Sequence, residues 1–338
     1  MTLAISALLA EGELPAARID SFLASHNAPI VEGRTVTFLY RGEADAVFLQ
    51  HWIFGLTSAQ PFTQVVGSDL WYLTQEIPVR SRVEYKLEVQ RGDVSRLIRD
   101  PLNSQLAHDP FGANSVCQGA EYQVPDWISP DPEARPGTLE KHRVSSTALG
   151  GSQELQIYLP ARFRSSRRYP LLIVHDGSDY LHFSVLKTVL DNLIHRLEVA
   201  PMIVALTQSR QRLRDYAAHV DHSRFLAEEL VPALEVRYPL QKGPASRGLM
   251  GASFGGVAAL AAAAHYPGQF GRLLLQSGSF AFTAILVRCP ASRASDTIST
   301  APLAISGTSR ANSFFTSPGC ERDTVTIGPR MPLRTPTT

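Results

Sequence analysis

Apolar residues recur along this chain in two rhythms, and a third stretch follows neither. Over residues 34–99 they fall at every second position in short runs separated by turns, most clearly at Val83, Tyr85, Leu87 and Val89. A period of two gives a half-buried strand with one apolar face. Runs at 36–40, 46–54 and 70–73 have similar length, and Arg91-Gly92-Asp93 supplies a tight turn. Together they predict a small antiparallel β-sandwich over residues 25–122, preceded by a short amphipathic helical segment at 1–24. Pro125, Pro130, Pro132, Pro136 and Gly137 cannot continue a helix or a central strand. Residues 123–138 are therefore read as an interdomain linker.

The rhythm then changes to strands alternating with helical segments. Strand-like runs fall at 155–159, 171–174, 202–206, 248–250 and 273–276, with helical periodicity at 183–196, 223–237 and 256–265. Such alternation predicts a mostly parallel sheet wrapped by helices, an α/β domain at 139–283. Over 284–338 Ser, Thr, Pro and Arg dominate, lysine is absent, and only 285–287 forms a short apolar run. A disordered tail is one reading. The other is that this stretch is not the fold's own ending, because the strand at 273–276 leaves an edge that further strands should cover. A shifted reading frame in a GC-rich gene gives this composition, so the α/β domain is expected to be C-terminally incomplete.

Composition narrows the function. The 338 residues, 44 % hydrophobic, suffice for two packed domains, and a formal charge of +1 spread along the chain offers no basic stripe for nucleic acid. The apolar start at 1–10 lacks a basic n-region, and Glu11 and Glu13 interrupt it before it could span a bilayer. The expectation is a cytoplasmic protein with a small-molecule ligand and neither a membrane nor a nucleic-acid partner. Cys117, Cys289 and Cys320 have neither zinc-site spacing nor a disulfide framework, and the histidines are scattered, so neither metal nor cofactor is expected.

The sharpest chemical signal is Gly251-Ala252-Ser253-Phe254-Gly255-Gly256, which follows an apolar run and opens an alanine-rich helix. Gly-x-Ser-x-Gly between a strand and a helix is the pattern of a nucleophile elbow. The turn holds the serine in a strained conformation and brings the chain so close that side chains two residues away would clash. Ser253 is the candidate nucleophile, and the Phe254 N–H at the helix start is a candidate oxyanion donor. A second donor is expected from the loop His175-Asp176-Gly177-Ser178 after the run at 171–174, with Gly177 and Ser178 as candidates. Arg212, Arg214 and Asp215 follow the run at 202–206, on the side of an open α/β sheet where ligands bind, and are candidate substrate-binding residues for an anion.

From about residue 34 to 282 the chain resembles the enterochelin (enterobactin) esterase family. The matching residues are Asp100-Pro101-Leu102-Asn103, Asp109-Pro110-Phe111-Gly112-Ala113-Asn114, Asp176-Gly177, Arg212 to Asp215, Ser253 in its elbow, and Gln276-Ser277-Gly278-Ser279. The resemblance implies an N-terminal immunoglobulin-like β-sandwich joined to an esterase D-like α/β-hydrolase domain. It also implies hydrolysis of the ester bonds of a ferric catecholate siderophore, which releases iron. An esterase acting on feruloyl or acetyl groups of carbohydrates, and a protein that binds a siderophore or glycan without cleaving it, are the other readings.

The departure from the family is the base. In α/β-hydrolases the acid and then the histidine follow the serine along the chain. Here His265 is the last histidine, and it stands twelve positions past Ser253 on the same predicted helix. That separation is about 18 Å along the axis, out of reach of the serine's proton. Beyond 276 the acids are Asp296, Glu321 and Asp323. Of the earlier histidines, His175 should approach from the oxyanion side, while His219 and His222 read as solvated loop residues, so catalysis by this chain is expected to be impaired.

Overall fold

The computed structural model describes residues 2–51, 57–280 and 299–301, the last three as backbone. The expected content of 284–298 and 302–338, and the predicted strand positions Trp52 to Phe54, lie outside the described residues.

Two antiparallel sheets pack face to face in the first part of the chain. One has the order Ile30–Glu32, Thr35–Arg41, Leu70–Glu76, Thr63–Gln64. The other centres on the ten-residue strand Arg82–Arg91, flanked on one side by Ala46–His51. Val36, Phe38 and Tyr40 of the first sheet meet Val47, Leu49, Tyr85 and Leu87 of the second in one buried cluster. The alternation at 83–89 thus becomes an inward row and an outward row, as the period of two requires. Leu39 and Leu70 face the other way and pack under Ile5, Leu8, Ile19 and Phe22 of the helices Ala4–Leu9 and Ala16–Ser25. Covered on both faces, Thr35–Arg41 has five consecutive buried residues.

Asp100-Pro101-Leu102-Asn103 forms a buried polar knot. The Tyr85 hydroxyl donates to Asp100 Oδ2 at 2.6 Å, and Asn103 Nδ2 donates to the Tyr85 oxygen at 3.0 Å and to the Val116 carbonyl at 2.8 Å. Each buried polar atom in this turn gains a partner, which accounts for the motif by structure alone. The proline-rich stretch is likewise held. Asn192 Nδ2 donates to the carbonyls of Trp127 and Ser129, Asp191 Oδ1 accepts from the Gly137 N–H, and Arg196 pairs with Asp126.

The second part is built on one seven-stranded sheet. Its strands are β1 (Thr138–Ser145), β2 (Ser152–Leu159), β3 (Leu171–Val174), β4 (Ile203–Thr207), β5 (Arg247–Ala252), β6 (Arg272–Gln276) and β7 (Ser299–Ala301), in the order β1-β2-β4-β3-β5-β6-β7. β1 and β2 run antiparallel and the rest are parallel. The central strands are buried on both faces: Leu155, Ile157, Ile173, Ala205 and Leu249 join one cluster, and Val174, Val204, Leu206 and Met250 the other. From β3 the chain goes to β4 on one side and later to β5 on the other, so the crevice at the carboxyl ends of β3 and β5 is the switch point where open α/β sheets bind ligands. β7 adds a parallel neighbour to the β6 edge from within a stretch where no period was visible, pairing Leu275 with Thr300.

Two helices differ from expectation. The segment predicted at 183–196 is the helix Leu186–His195, and a further helix, Gly177–Phe183, precedes it, the two parted at Val185, whose φ of 44° is outside the helical region. The segment predicted at 223–237 begins at Val220 and relaxes to a π-helix over Phe225–Leu230 before resuming at Val231–Arg237. Pro232 explains this change: it lacks an N–H, and its ring crowds the carbonyl four residues earlier, so the preceding turn widens.

Candidate functional site

β5 ends in the elbow. Ser253 has φ 55° and ψ −121°, a strained backbone for a residue with a side chain, and the helix Phe254–His265 begins immediately after it. A Cβ on Gly251 would overlap the backbone carbonyl group of Gly255, and one on Gly256 would press at 3.3 Å on Gly251 O and Gly278 Cα. The glycines are thus set by backbone touching backbone. The Ser253 N–H donates to the Gln276 carbonyl of β6 at 3.0 Å, which fixes the turn against its neighbour strand.

The hydroxyl of Ser253 lies 2.9 Å from that of Ser279, and the Ser279 N–H donates to the Ser253 carbonyl at 3.1 Å. Ser279 belongs to the Gln276-Ser277-Gly278-Ser279 motif, but nothing in its spacing marked it as a contact of the elbow serine. The N–H groups of Gly256 and Val257 turn back to the Ser253 carbonyl at 3.1 Å and 3.3 Å, while that of Phe254, the first helical residue, has no partner inside its own helix.

Next to the elbow stands the loop after β3. Asp176 takes a left-handed conformation, φ 54°, and the helix Gly177–Phe183 starts directly behind it. A Cβ on Gly177 would sit 2.5 Å from Leu206 Cβ, so glycine is what lets this helix begin against β4. The Ser178 N–H points to Gln208 Oε1 at 3.4 Å. Tyr180 donates its hydroxyl to the Gln276 side chain, which ties this helix to the residue whose carbonyl holds Ser253.

Arg212 turns to Asp176 rather than to open solvent. Its Nε lies 2.9 Å and 3.0 Å from the two carboxylate oxygens, and Nη2 lies 2.8 Å from Oδ2, a forked ion pair. Asp176 is almost fully buried beside Gly255. Asp215 is also buried and accepts from the Ser209 hydroxyl at 2.6 Å, whereas Arg214 is exposed and bonds Gln211. The predicted trio therefore divides into two residues that hold the loop and one that faces water.

The histidines correct the sequence reading in one respect. His222, expected to be a solvated loop residue, is buried with 3 % of its surface exposed, because Val220–Arg224 is a helix that packs against the helix after the elbow. His175 is fully buried: its Nδ1 lies 3.1 Å from the Met250 carbonyl and its Nε2 lies 3.1 Å from His222 Nε2. Burial lowers both pKa values, that of His175 to about 4. Both ring nitrogens of His175 are occupied, so neither is free for a serine proton. His219 accepts from the Asp221 N–H at its helix start, and His265 Nδ1 bonds the Ser223 hydroxyl. Among the described residues no histidine bonds Ser253, no metal-holding group of three ligands occurs, and no helix is long and apolar enough to cross a membrane.

The family model for putative esterases matches residues 146–312, a span that includes the elbow, the loop after β3 and β7. An iron(III) enterobactin esterase of Escherichia coli O6:H1 is 25 % identical over 283 residues, covering 72 % of this chain and 70 % of that protein. The uncharacterized protein YjcH of Bacillus subtilis is 28 % identical over 148 residues, and the matched part spans 62 % of its length. In overall fold the chain is similar to the enterobactin esterase of Shigella flexneri crystallised with enterobactin, with a TM-score of 0.61, 23 % identity, and coverage of 77 % of this chain and 76 % of that one. The strained serine elbow, the neighbouring loop and these likenesses agree: the chain carries a putative-esterase domain, a carboxylic ester hydrolase by family, and is similar to the enterobactin esterases.

Proposed function

We propose that this site is a serine esterase site for the ester bonds of a ferric catecholate siderophore, with iron entering only as part of the substrate. The observation that carries the reading is Ser253 at φ 55° on a glycine-walled turn, at a helix N-terminus and facing the loop 175–178. In this reading Ser253 Oγ attacks the ester carbonyl, and the growing negative charge on its oxygen is met by the N–H of Phe254 and by N–H groups of Gly177 and Ser178. Ser178 must then exchange Gln208 Oε1 for the substrate oxygen. The Arg212–Asp176 pair shapes the pocket wall, Asp215 holds the same loop through Ser209, and Arg214 supplies the outward positive charge for an anionic substrate.

The remaining requirement is a base. The partner of Ser253 Oγ is Ser279, a neutral hydroxyl too weakly basic to take the serine's proton near neutral pH, and the sequence has no histidine after His265. A site with elbow and oxyanion donors but no base retains about 10³- to 10⁴-fold acceleration over water in the serine-protease precedent. The reading is therefore an esterase site that binds its substrate and turns it over slowly in this chain. It includes a cytoplasmic setting, an immunoglobulin-like assignment for the sandwich at 25–122, a linker at 123–138 and a hydrolase domain from 139.

The test is to incubate the full chain with a ferric catecholate trilactone and follow both binding and release of the linear ester products. Binding with slow release that disappears in Ser253→Ala supports the reading. Binding without any Ser253-dependent release would assign the protein to the non-catalytic siderophore binders.

A further inference from the structure

The second sheet of the sandwich forks at Lys86. Gly112–Gln118 pairs with Arg82 to Tyr85, and Val94–Ile98 pairs with Leu87 to Arg91. Tyr85 and Leu87 also pair with Ala46–His51, so both branches leave from the edge away from that strand. Leu106–Asp109 extends one branch beyond Gly112–Gln118, and Asp100 and Asn103 tie the turn at the base of the fork to Ser115 and Val116. Between the branches lies a cleft of about 650 Å³, lined by Leu97, Ile98, Leu106, Ala113, Lys86 and Arg99, with that turn at its base. A cleft of this size suits a small molecule.

The charges in the cleft are one-sided. Lys86 and Arg99 have no ion pair or hydrogen bond among the described residues. The carboxylates nearby are held: Asp100 by the Tyr85 hydroxyl and the Leu102 N–H, Glu84 by Arg82 and Asn114, and Glu88 by Gln50, Gln90 and Ser95. Continued by one step, the register that sets Leu87 against Ile98 sets Arg99 beside Lys86, so both long side chains can turn to one anion. A wholly polar anion would leave the aliphatic lining wet, and a neutral ring would leave both cations without a partner. We propose that the cleft is a binding site for an aromatic carboxylate, with its ring against Leu97, Leu106 and Ala113 and its carboxylate on Lys86 and Arg99. This site belongs to the sandwich and makes no use of Ser253, so it goes beyond the esterase reading and fails separately from it.

The experiment is an NMR titration of backbone amides in the full chain with naphthalene-2-carboxylate, and with the neutral naphthalene-2-carboxamide as control. The expected result is saturable shifts at Leu97, Ile98, Leu106 and Ala113, unchanged in Ser253→Ala. The amide should bind about tenfold more weakly or less, and Lys86→Gln with Arg99→Gln should weaken the carboxylate by about the same factor, as the loss of charge-assisted contacts requires. Leu97→Glu, a change at an exposed position, should abolish the shifts by placing a carboxylate in the cleft. Shifts that do not saturate, shifts confined to the elbow, equal binding of the amide, or an affinity untouched by the paired substitutions would overturn the proposal.

Discussion

Ser253 and Ser279 face each other hydroxyl to hydroxyl at 2.9 Å, joined a second time by the Ser279 N–H on the Ser253 carbonyl. The second bond is backbone to backbone and survives truncation of the side chain. Ser279→Ala should therefore cost only about 1 kcal/mol of stability, the net worth of one hydrogen bond, while freeing the Ser253 hydroxyl. Denaturant unfolding checks this outcome. A loss several times larger would mean that the Ser279 hydroxyl itself holds the turn.

The Arg212–Asp176 pair is forked and its carboxylate is buried. Removing the arginine leaves an uncompensated charge, so Arg212→Ala should destabilise the protein by about 3 kcal/mol, and adding Asp176→Asn should recover part of that loss. A double-mutant cycle in urea measures the coupling. Additive effects would show the two side chains to be independent.

His175 and His222 make stability depend on pH. Their folded-state pKa values lie below the ordinary value of 6.5, that of His175 near 4, so between these limits the unfolded chain binds more protons than the folded one. Their stabilisation is present above pH 6.5 and is lost as pH falls towards 4. Unfolding midpoints measured from pH 7.5 to 4.5 should decline, and His222→Phe, if folded, should flatten the slope. An equal slope in that variant would place the dependence elsewhere.

Gly177 allows the helix Gly177–Phe183 to start against Leu206, where a Cβ would approach to 2.5 Å. Gly177→Ala should force the loop away from β4 and cost about 1–3 kcal/mol, the range for overpacking. Thermal unfolding measures it, and an unchanged midpoint would show that the loop gives way freely.

Several of these features were legible in the residues alone, and the reasons differ. The elbow could be read because Gly251 must pass the backbone of Gly255 only four positions on. The strands at 83–89 and 171–174 could be read because burial imposes a local period. The Asp176–Arg212 pair joins residues 36 positions apart, and a charged loop in sequence looks the same whether its arginine faces water or a buried carboxylate. His222 reads as solvated in sequence for a related reason: it follows the charged stretch Arg212 to Asp215, and only the packing of its helix on the elbow helix buries it. Val185 had no glycine to announce the left-handed residue that parts the two helices. The motif Asp100-Pro101-Leu102-Asn103 was visible as a family likeness, yet its content is the Tyr85 knot.

The most direct measurement is the rate of ester hydrolysis by the full chain, with a ferric catecholate trilactone and with a simple aryl ester, compared with Ser253→Ala across pH 5.5 to 9. The expected result is a slow rate that vanishes in the variant and shows no inflection near pH 6.5, because no histidine serves Ser253. A rate untouched by Ser253→Ala would contradict the nucleophile, and a fast rate that falls below pH 6.5 would contradict the missing base.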